Sequence, residues 1–115
     1  MGERAGPLVK LSVRFYATAA GAEPVREWLR SLPAEERKII GEDIKTVQFG
    51  WPLGMPVVRK VTPKLWEVRS RLANRIARVL FTVKGGQMVL LHGFIKKTRR
   101  TPAEDIRLAQ SRIDF

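Results

Sequence analysis

Alternating hydrophobic and polar residues predict the first element of the chain. From Val9 to Tyr16 an apolar side chain occupies every second position, the period of a β-strand with one buried face. After a loop of small residues, apolar side chains recur at i, i+3, i+4 and i+7, and they are Val25, Trp28, Leu29 and Leu32. This spacing predicts an amphipathic helix that ends before Pro33.

A second helix is predicted to follow at once, so that the two form a helical hairpin. Pro33 suits its first turn, and Glu35 and Glu36 complement the positive end of the helix dipole. Its apolar stripe consists of Ile40, Ile44 and Val47. We expect this helix to stop at Gly50. Gly41, inside it, is interpreted as a tolerated glycine rather than as a point of close helix approach.

The second half of the chain predicts an antiparallel sheet and a closing helix. Residues 51–56 contain two prolines and a glycine and are expected to form a loop. Candidate strands follow at Val57–Val61, Leu65–Arg69, Ile76–Val83 and Gln87–Lys96. The glycines of Lys84-Gly85-Gly86 favour a tight turn between the last two strands. Thr101-Pro102-Ala103-Glu104 reads as a capping box, with Thr101 as the cap and Pro102 in the first helical position.

The order β-α-α-β-β-β-β-α predicts an α+β fold with the helices packed on one face of the sheet. At 115 residues we expect one domain over residues 8–115, preceded by a short disordered lead over residues 1–7. That lead lacks the apolar region of a signal peptide, and no apolar run approaches the roughly 20 residues that span a bilayer. A cytoplasmic protein without a membrane partner is therefore predicted.

Charge narrows the class of partner. The chain has 22 Lys and Arg against 11 Asp and Glu, a formal net charge of +11. Such an excess attracts nucleic acid, an anionic membrane or an acidic protein. The chain contains no cysteine and a single histidine, His92. This composition disfavours thiolate chemistry and multi-histidine metal sites, so no cofactor is expected.

The cationic side chains of the second half cluster on the predicted strands and their ends. They are Arg59, Lys60, Lys64, Arg69, Arg71, Arg75, Arg78, Lys96, Lys97, Arg99 and Arg100. Guanidinium and ammonium groups contact phosphates, and Phe94 or Trp66 could stack on an unpaired base, so RNA is the favoured target. The alternative is that these side chains only solvate an exposed sheet face.

Four other side chains carry competing interpretations. His92 lies beside an apolar run, where it is either a hydrogen-bonded structural residue or a group that transfers protons near neutral pH. Glu67 shares a strand face with Arg69, so an ion pair is its first interpretation and a general base the second. Trp28 and Trp66 lie at the apolar positions of their elements and are interpreted as core residues.

Several segments, and the spacing between them, resemble one known family. They are Leu65-Trp66-Glu67-Val68-Arg69, Arg78-Val79-Leu80-Phe81, residues 90–98 (LLHGFIKKT) and Thr101-Pro102. These segments are similar to the phage-derived branch of the RelE/HigB-type toxins of type II toxin–antitoxin systems. The resemblance implies a RelE-like fold, with an antiparallel-rich sheet, an N-terminal helical hairpin and a short C-terminal helix.

The resemblance also implies an activity and partners. Such toxins are metal-independent endoribonucleases that cut mRNA, usually on the ribosome, and a HigA-like helix-turn-helix antitoxin holds them inactive. Carried over by position, Arg78 is the first catalytic candidate, followed by Lys96, Lys97 and Arg69, with His92 as a possible acid or base. The candidate RNA-binding residues are Arg59, Lys60, Lys64, Arg71, Phe94, Arg99 and Arg100. Two alternatives stay open: a non-catalytic RNA or ribosome binder, and a toxin relative without activity.

Overall fold

The predicted element order is confirmed. The computed structural model describes residues 10–54, 56–96 and 101–113, with only the backbone of Lys96. Its elements are β1 (Ser12–Phe15), α1 (Pro24–Arg30), α2 (Ala34–Gly50), β2 (Val58–Thr62), β3 (Leu65–Arg71), β4 (Ile76–Lys84), β5 (Gln87–Lys96) and α3 (Ala103–Ser111). The lead over residues 1–7 lies outside the described residues, so its disorder and the domain limits stay predictions.

Five strands form one sheet in the order β1-β5-β4-β3-β2. Strands β2 to β5 make the predicted antiparallel meander, whereas β1 runs parallel to β5, with Ser12 opposite Gln87 and Phe15 opposite Leu90. The β4–β5 turn places Gly85 and Gly86 at φ values of +57° and +77°. Only glycine adopts this left-handed conformation at little cost, which explains the pair.

The sheet buries both of its faces. On one face the hairpin of α1 and α2 packs against a core that includes Val68, Val79, Phe81, Met88 and Leu90. On the other face α3 covers a second core made by Leu65, Leu80, Val89, Leu91 and Ala109. The expectation that all helices lie on one face is therefore wrong for α3. Successive residues along β4 and β5 are mostly apolar, so apolar side chains project from both faces of these strands and both faces must be buried.

Aromatic contacts fix the loop that follows α2. The ring of Trp51 meets Trp66 edge to face at 5.2 Å between centroids and meets Phe81 at 5.7 Å. Trp66 also stacks on Phe81 at 6.0 Å. Trp28 and Trp66 both pack against the core under the helical hairpin, as predicted. Edge-to-face and offset-stacked pairs are the favoured aromatic geometries, so Trp51 anchors its loop to the sheet.

The predicted capping box at the start of α3 is wrong. The helix begins at Ala103, Pro102 occupies the cap position, and no side chain bonds to the free amides of the first turn. The hydroxyl of Thr101 instead donates to Glu67 at 2.6 Å. A hydrogen bond to a buried carboxylate is stronger than one between neutral groups, so the tertiary contact replaces the local cap.

Two glycines differ sharply in the space around them. A Cβ added to Gly93 in β5 would lie 3.0 Å or less from three ring atoms of Trp28 on α1. The hairpin can therefore approach the sheet only because position 93 has no side chain. A Cβ added to Gly41 in α2 would meet nothing within 4 Å, which confirms that this glycine is tolerated.

Replacing each glycine with alanine should consequently change stability in opposite directions. Gly93→Ala overpacks the contact with Trp28 and is expected to lower the free energy of unfolding by about 1–3 kcal/mol. Gly41→Ala, its matched control, should raise that free energy by up to about 1 kcal/mol through helix propensity. Urea unfolding followed by circular dichroism measures both. Equal free energies for Gly93→Ala and the unmodified chain would show that the close approach is not required.

Candidate functional site

A buried carboxylate lies on the α3 face of the sheet. Glu67, in β3, is 0% exposed, and its Oε2 accepts the hydrogen bond from the Thr101 hydroxyl. The same hydroxyl accepts a hydrogen bond from Nη1 of Arg78, in β4, at 3.3 Å. Arg78 is likewise 0% exposed. One threonine just before α3 therefore connects a buried arginine to a buried glutamate.

Strand register gathers three arginines around this carboxylate. Arg69 lies opposite Arg78 in the β3–β4 pairing, and Arg59 lies opposite Glu67 in the β2–β3 pairing. Nε of Arg69 is 3.9 Å from Oε1 of Glu67, so the predicted ion pair is present but long. Like charges opposite each other in a sheet repel. Among the described residues, these three arginines lie around the carboxylate of Glu67.

The pKa of Arg78 is lowered, mainly by burial and to a smaller extent by its cationic neighbours. Burial lowers the pKa of Arg78 below its ordinary value, Glu67 opposes this effect, and Arg69 and Arg59 lower the pKa further. Because the pKa of this cation is lower in the folded chain than in the unfolded chain, burial of its charge lowers the free energy of unfolding. This cost disappears only at strongly alkaline pH, where the group loses its proton. At neutral pH the guanidinium is charged, and its burial is a cost. An anion bound beside the cluster would reduce that cost.

Cationic cavities lie on both sides of the buried cluster. A cavity of about 340 Å³ is lined by Arg59 and Lys60 together with Val61, Thr101 and Ile106. A second, of about 240 Å³, is lined by Arg69 and Arg71 together with Asp43, Pro56, Val57 and Ile76. Nε of Arg69 is buried and has no hydrogen-bond partner within the described ranges. We call Arg59, Lys60, Arg69, Arg71 and Arg78 the cationic band.

His92 forms a separate polar contact with α3. Its Nε2 lies 2.7 Å from Oδ1 of Asp105, and its ring stacks on Phe94 at 5.2 Å between centroids. Phe94 is the cross-strand partner of Arg78, which makes His92 a diagonal neighbour of Arg78, roughly 7–8 Å away between Cα atoms. This contact attaches α3 to β5 and fixes the orientation of the imidazole ring.

The structure brings together only part of the predicted site. Arg59, Arg69 and Arg78 surround Glu67, and Arg71 follows Arg69 on the same strand face. Lys60 lies over the ring of Trp66, and Lys64 lies apart in the turn between β2 and β3. Four predicted residues cannot be placed: the side chain of Lys96, and Lys97, Arg99 and Arg100, all lie outside the described residues. Arg78 has no exposed surface, so in this conformation it does not contact a phosphate arriving from solvent.

Two residues of the site carried no sequence signal for their roles. Thr101 was assigned to helix capping, and Asp105 is one of two acidic residues in the first turn of α3, where the helix dipole alone explains them. In the part of the chain that the structure describes, no group of three or more His, Asp or Glu side chains could hold a metal ion. Nor does any helix there have the length and apolar character to cross a membrane.

Comparison with known families identifies the family to which the chain belongs. Residues 27–114 match the model of the family described as phage derived protein Gp49-like (DUF891). The match covers most of the chain and includes the cationic band, His92 and Asp105. The protein therefore belongs to the phage-derived Gp49-like family, which is in general a family of RelE-like toxins. No curated protein matches the sequence.

Replacing the central carboxylate tests the cluster. Glu67→Gln keeps the size of the side chain but removes the buried negative charge that faces Arg69 and, through Thr101, Arg78. Removing one partner of a buried ion pair costs about 3–5 kcal/mol. We expect that loss in the free energy of unfolding, measured in urea. Glu42→Gln, on the exposed surface of α2, is the control and should change it by less than about 0.5 kcal/mol. Equal stability of the two variants would contradict a compensating role for Glu67.

Proposed function

We propose that this protein is the toxin of a type II toxin–antitoxin pair of the RelE/HigB type, and that it cleaves mRNA without a metal ion. The observation that carries the proposal is the cationic band around a single buried carboxylate, in a chain of the Gp49-like family. The net charge of +11 supports a polyanionic target. The family suggests an antitoxin partner in general.

Arg69 is the side chain best suited to bind the scissile phosphate. It is 23% exposed and lines a cavity together with Arg71, so its guanidinium can be reached from solvent although its Nε is buried towards Glu67. A guanidinium presents paired donors that match two oxygens of a phosphate. Arg59, in the neighbouring cavity, can bind an adjacent phosphate. Arg78 holds Thr101 and Glu67 in place, and its direct contact with RNA requires release of Thr101.

The chemistry needs a proton acceptor and a proton donor as well as cations. The 2′-oxygen of RNA bonds to the adjacent phosphorus, the bond from phosphorus to the 5′-oxygen breaks, one proton leaves the 2′-hydroxyl and one reaches the 5′-oxygen. Arginines stabilise the charge that develops on the phosphate oxygens. His92, oriented by Asp105, is the proposed proton-transfer group. Lys96 and Lys97 remain proposed contributors at the end of β5.

The proposed partners follow from the same assignment. The toxin acts in the cytoplasm on mRNA, with the ribosome presenting the message, and a HigA-like helix-turn-helix antitoxin covers the basic surface. Such a partner would need an acidic or apolar segment, because the cationic band repels a second basic surface.

One observation favours a second candidate, a protein that binds RNA or the ribosome without cutting. Arg78 has the best match to the family's catalytic positions, yet it is fully buried and bonded to Thr101. A band made of Arg59, Lys60, Arg69 and Arg71 still binds phosphates when Arg78 is unavailable. Under this alternative, translation stalls while the message stays intact.

Substitution of Arg69 separates the two functions. Arg69→Gln should lower cleavage of a translated reporter mRNA by about 100-fold, because it removes one preorganised donor from the transition state. Cleavage is measured by primer extension after brief expression of the protein. Arg69 is preferred over Arg78, since loss of a buried arginine destabilises the fold itself. Circular dichroism confirms that each variant is folded.

The control is Arg30→Gln, which removes one exposed positive charge from α1 on the opposite face of the sheet. Discrete breaks with the unmodified chain and with Arg30→Gln, but not with Arg69→Gln, support the nuclease. Inhibited translation with intact message favours the non-catalytic binder. Normal growth and intact message with the unmodified chain would indicate the relative without activity.

A further inference from the structure

Strand β5 contains a β-bulge beside the candidate site. Its pairing with β4 passes from Leu90 directly to His92, so Leu91 has no partner in β4. A bulge adds one residue to a strand and changes the face to which the following side chains point. Bulges are common beside active sites, where they redirect a side chain. The bulge at Leu91 lies immediately before His92.

The bulge determines which face of the sheet carries His92. Leu90 packs in the core under the helical hairpin, and Leu91 packs in the second core, which α3 covers. Strict alternation would return the next side chain to the hairpin face. His92 instead contacts Asp105 of α3, so two successive residues of β5 point to the α3 face. Without the bulge, His92 would lie on the face opposite to Glu67.

A side chain of α3 supports the bulge through the backbone. Nη1 of Arg112 donates a hydrogen bond to the carbonyl oxygen of Leu91 at 2.7 Å. The extra residue of a bulge is left out of the hydrogen-bonded ladder. Strand β1 does not reach this residue either, because its pairing with β5 ends at Leu90. Arg112 therefore takes the place of a strand partner at this carbonyl.

The guanidinium of Arg112 is itself held in place. Its Cζ lies 5.1 Å from the centroid of the Tyr16 ring, the geometry of a cation–π contact. Arg112 occupies the C-cap of α3, where a cation also interacts favourably with the helix dipole. Tyr16 directly follows β1, and its backbone N–H donates to the carbonyl of Leu90 at 3.0 Å. Contacts from the end of β1 and from α3 therefore meet at the bulge.

We propose that Arg112 is a positioning residue, whose hydrogen bond to Leu91 fixes the bulge that turns His92 to the sheet face of the candidate site. The inference rests on the proposed function in taking His92 as the group that transfers protons. Such a group must lie within hydrogen-bond reach of the atom that it serves. Asp105 fixes the imidazole ring from α3, and Arg112 fixes the backbone from which that ring projects.

A purely structural role would limit Arg112 to attaching the C-terminal end of α3 to β5. Loss of its side chain would then fray that end of the helix. The contact of Asp105 with His92, in the first turn of α3, would stay unchanged. A positioning role requires instead that loss of Arg112 changes the bulge and moves the imidazole ring. The position of that ring therefore separates the two roles.

The NMR signals of the imidazole ring test the position of His92, which is the single histidine of the chain. The ring stacks on Phe94, and the ring current of Phe94 shifts the signals of the imidazole protons. Arg112→Met removes the donor but keeps an apolar stem, so we expect these signals to move towards those of a free histidine at the same pH. Arg112→Lys, which keeps a cationic donor, should retain the unmodified signals. Arg107→Met, the matched control, removes an exposed positive charge from the same helix and should also leave them unchanged.

A double-mutant cycle tests the consequence for cleavage. Initial rates over a range of concentrations of ribosome-bound message give kcat and KM. Arg112→Met should lower kcat by about 10- to 100-fold with KM unchanged, because a small displacement of a reacting group has this effect. In a His92→Gln background the same substitution should change neither constant. A side chain that only stabilises the fold would lower the rate equally in both backgrounds. Circular dichroism confirms that each variant is folded.

Three results would overturn the proposal: unchanged His92 signals in Arg112→Met, an equal loss of rate in the two backgrounds, or cleavage by Arg112→Met at the unmodified rate. The NMR result does not depend on the cleavage assay. Displaced His92 signals in a protein that cuts no message support the positioning of His92 by Arg112 and reject the nuclease alone. Cleavage by the unmodified chain together with unchanged signals in Arg112→Met rejects the positioning role alone.

Discussion

The burial of one glutamate among three arginines is the interaction on which the rest of the structure depends. Glu67 contacts Arg69 on its own strand, faces Arg59 on the next, and connects through Thr101 to Arg78. These contacts join β2, β3 and β4 to the start of α3. In the function proposed above, the positive charge that this arrangement concentrates also attracts an anion.

The position of α3 follows from the same interaction. Its apolar residues cover the second core, and two polar contacts hold its N-terminal end: Thr101, just before the helix, contacts Glu67 and Arg78, and Asp105 in the first turn contacts His92. The helix that completes the fold therefore also buries Arg78 and orients His92. In the proposed function, RNA therefore contacts the partly exposed Arg69 and the cavities on either side, where positive charge is present without any movement of α3.

Local patterns predicted most of the fold because periodicity and turn residues act over a few positions. The bounds of α2 and β4 and the turn at Gly85 and Gly86 were all predicted within about two residues. The predictions were wrong where contacts between residues far apart in the sequence determine the structure. Thr101 donates its hydrogen bond to Glu67 and does not cap the helix, and α3 packs on the second face of the sheet. The pairing of Asp105 with His92 and the complete burial of Arg78 depend on strand register. The positions of basic residues in the sequence do not predict that register.

The salt dependence of RNA binding tests most directly whether the cluster binds phosphate. A short single-stranded RNA with 2′-O-methyl groups cannot be cleaved, so its dissociation constant can be measured over a range of salt concentrations. For single strands each phosphate contact contributes about 0.7 to the slope of log affinity against log salt. Arg69→Gln should reduce that slope by about 0.7 relative to the unmodified chain, while Arg30→Gln leaves it unchanged. Identical slopes for Arg69→Gln and the unmodified chain would contradict a phosphate site at Arg69, beside the buried carboxylate of Glu67.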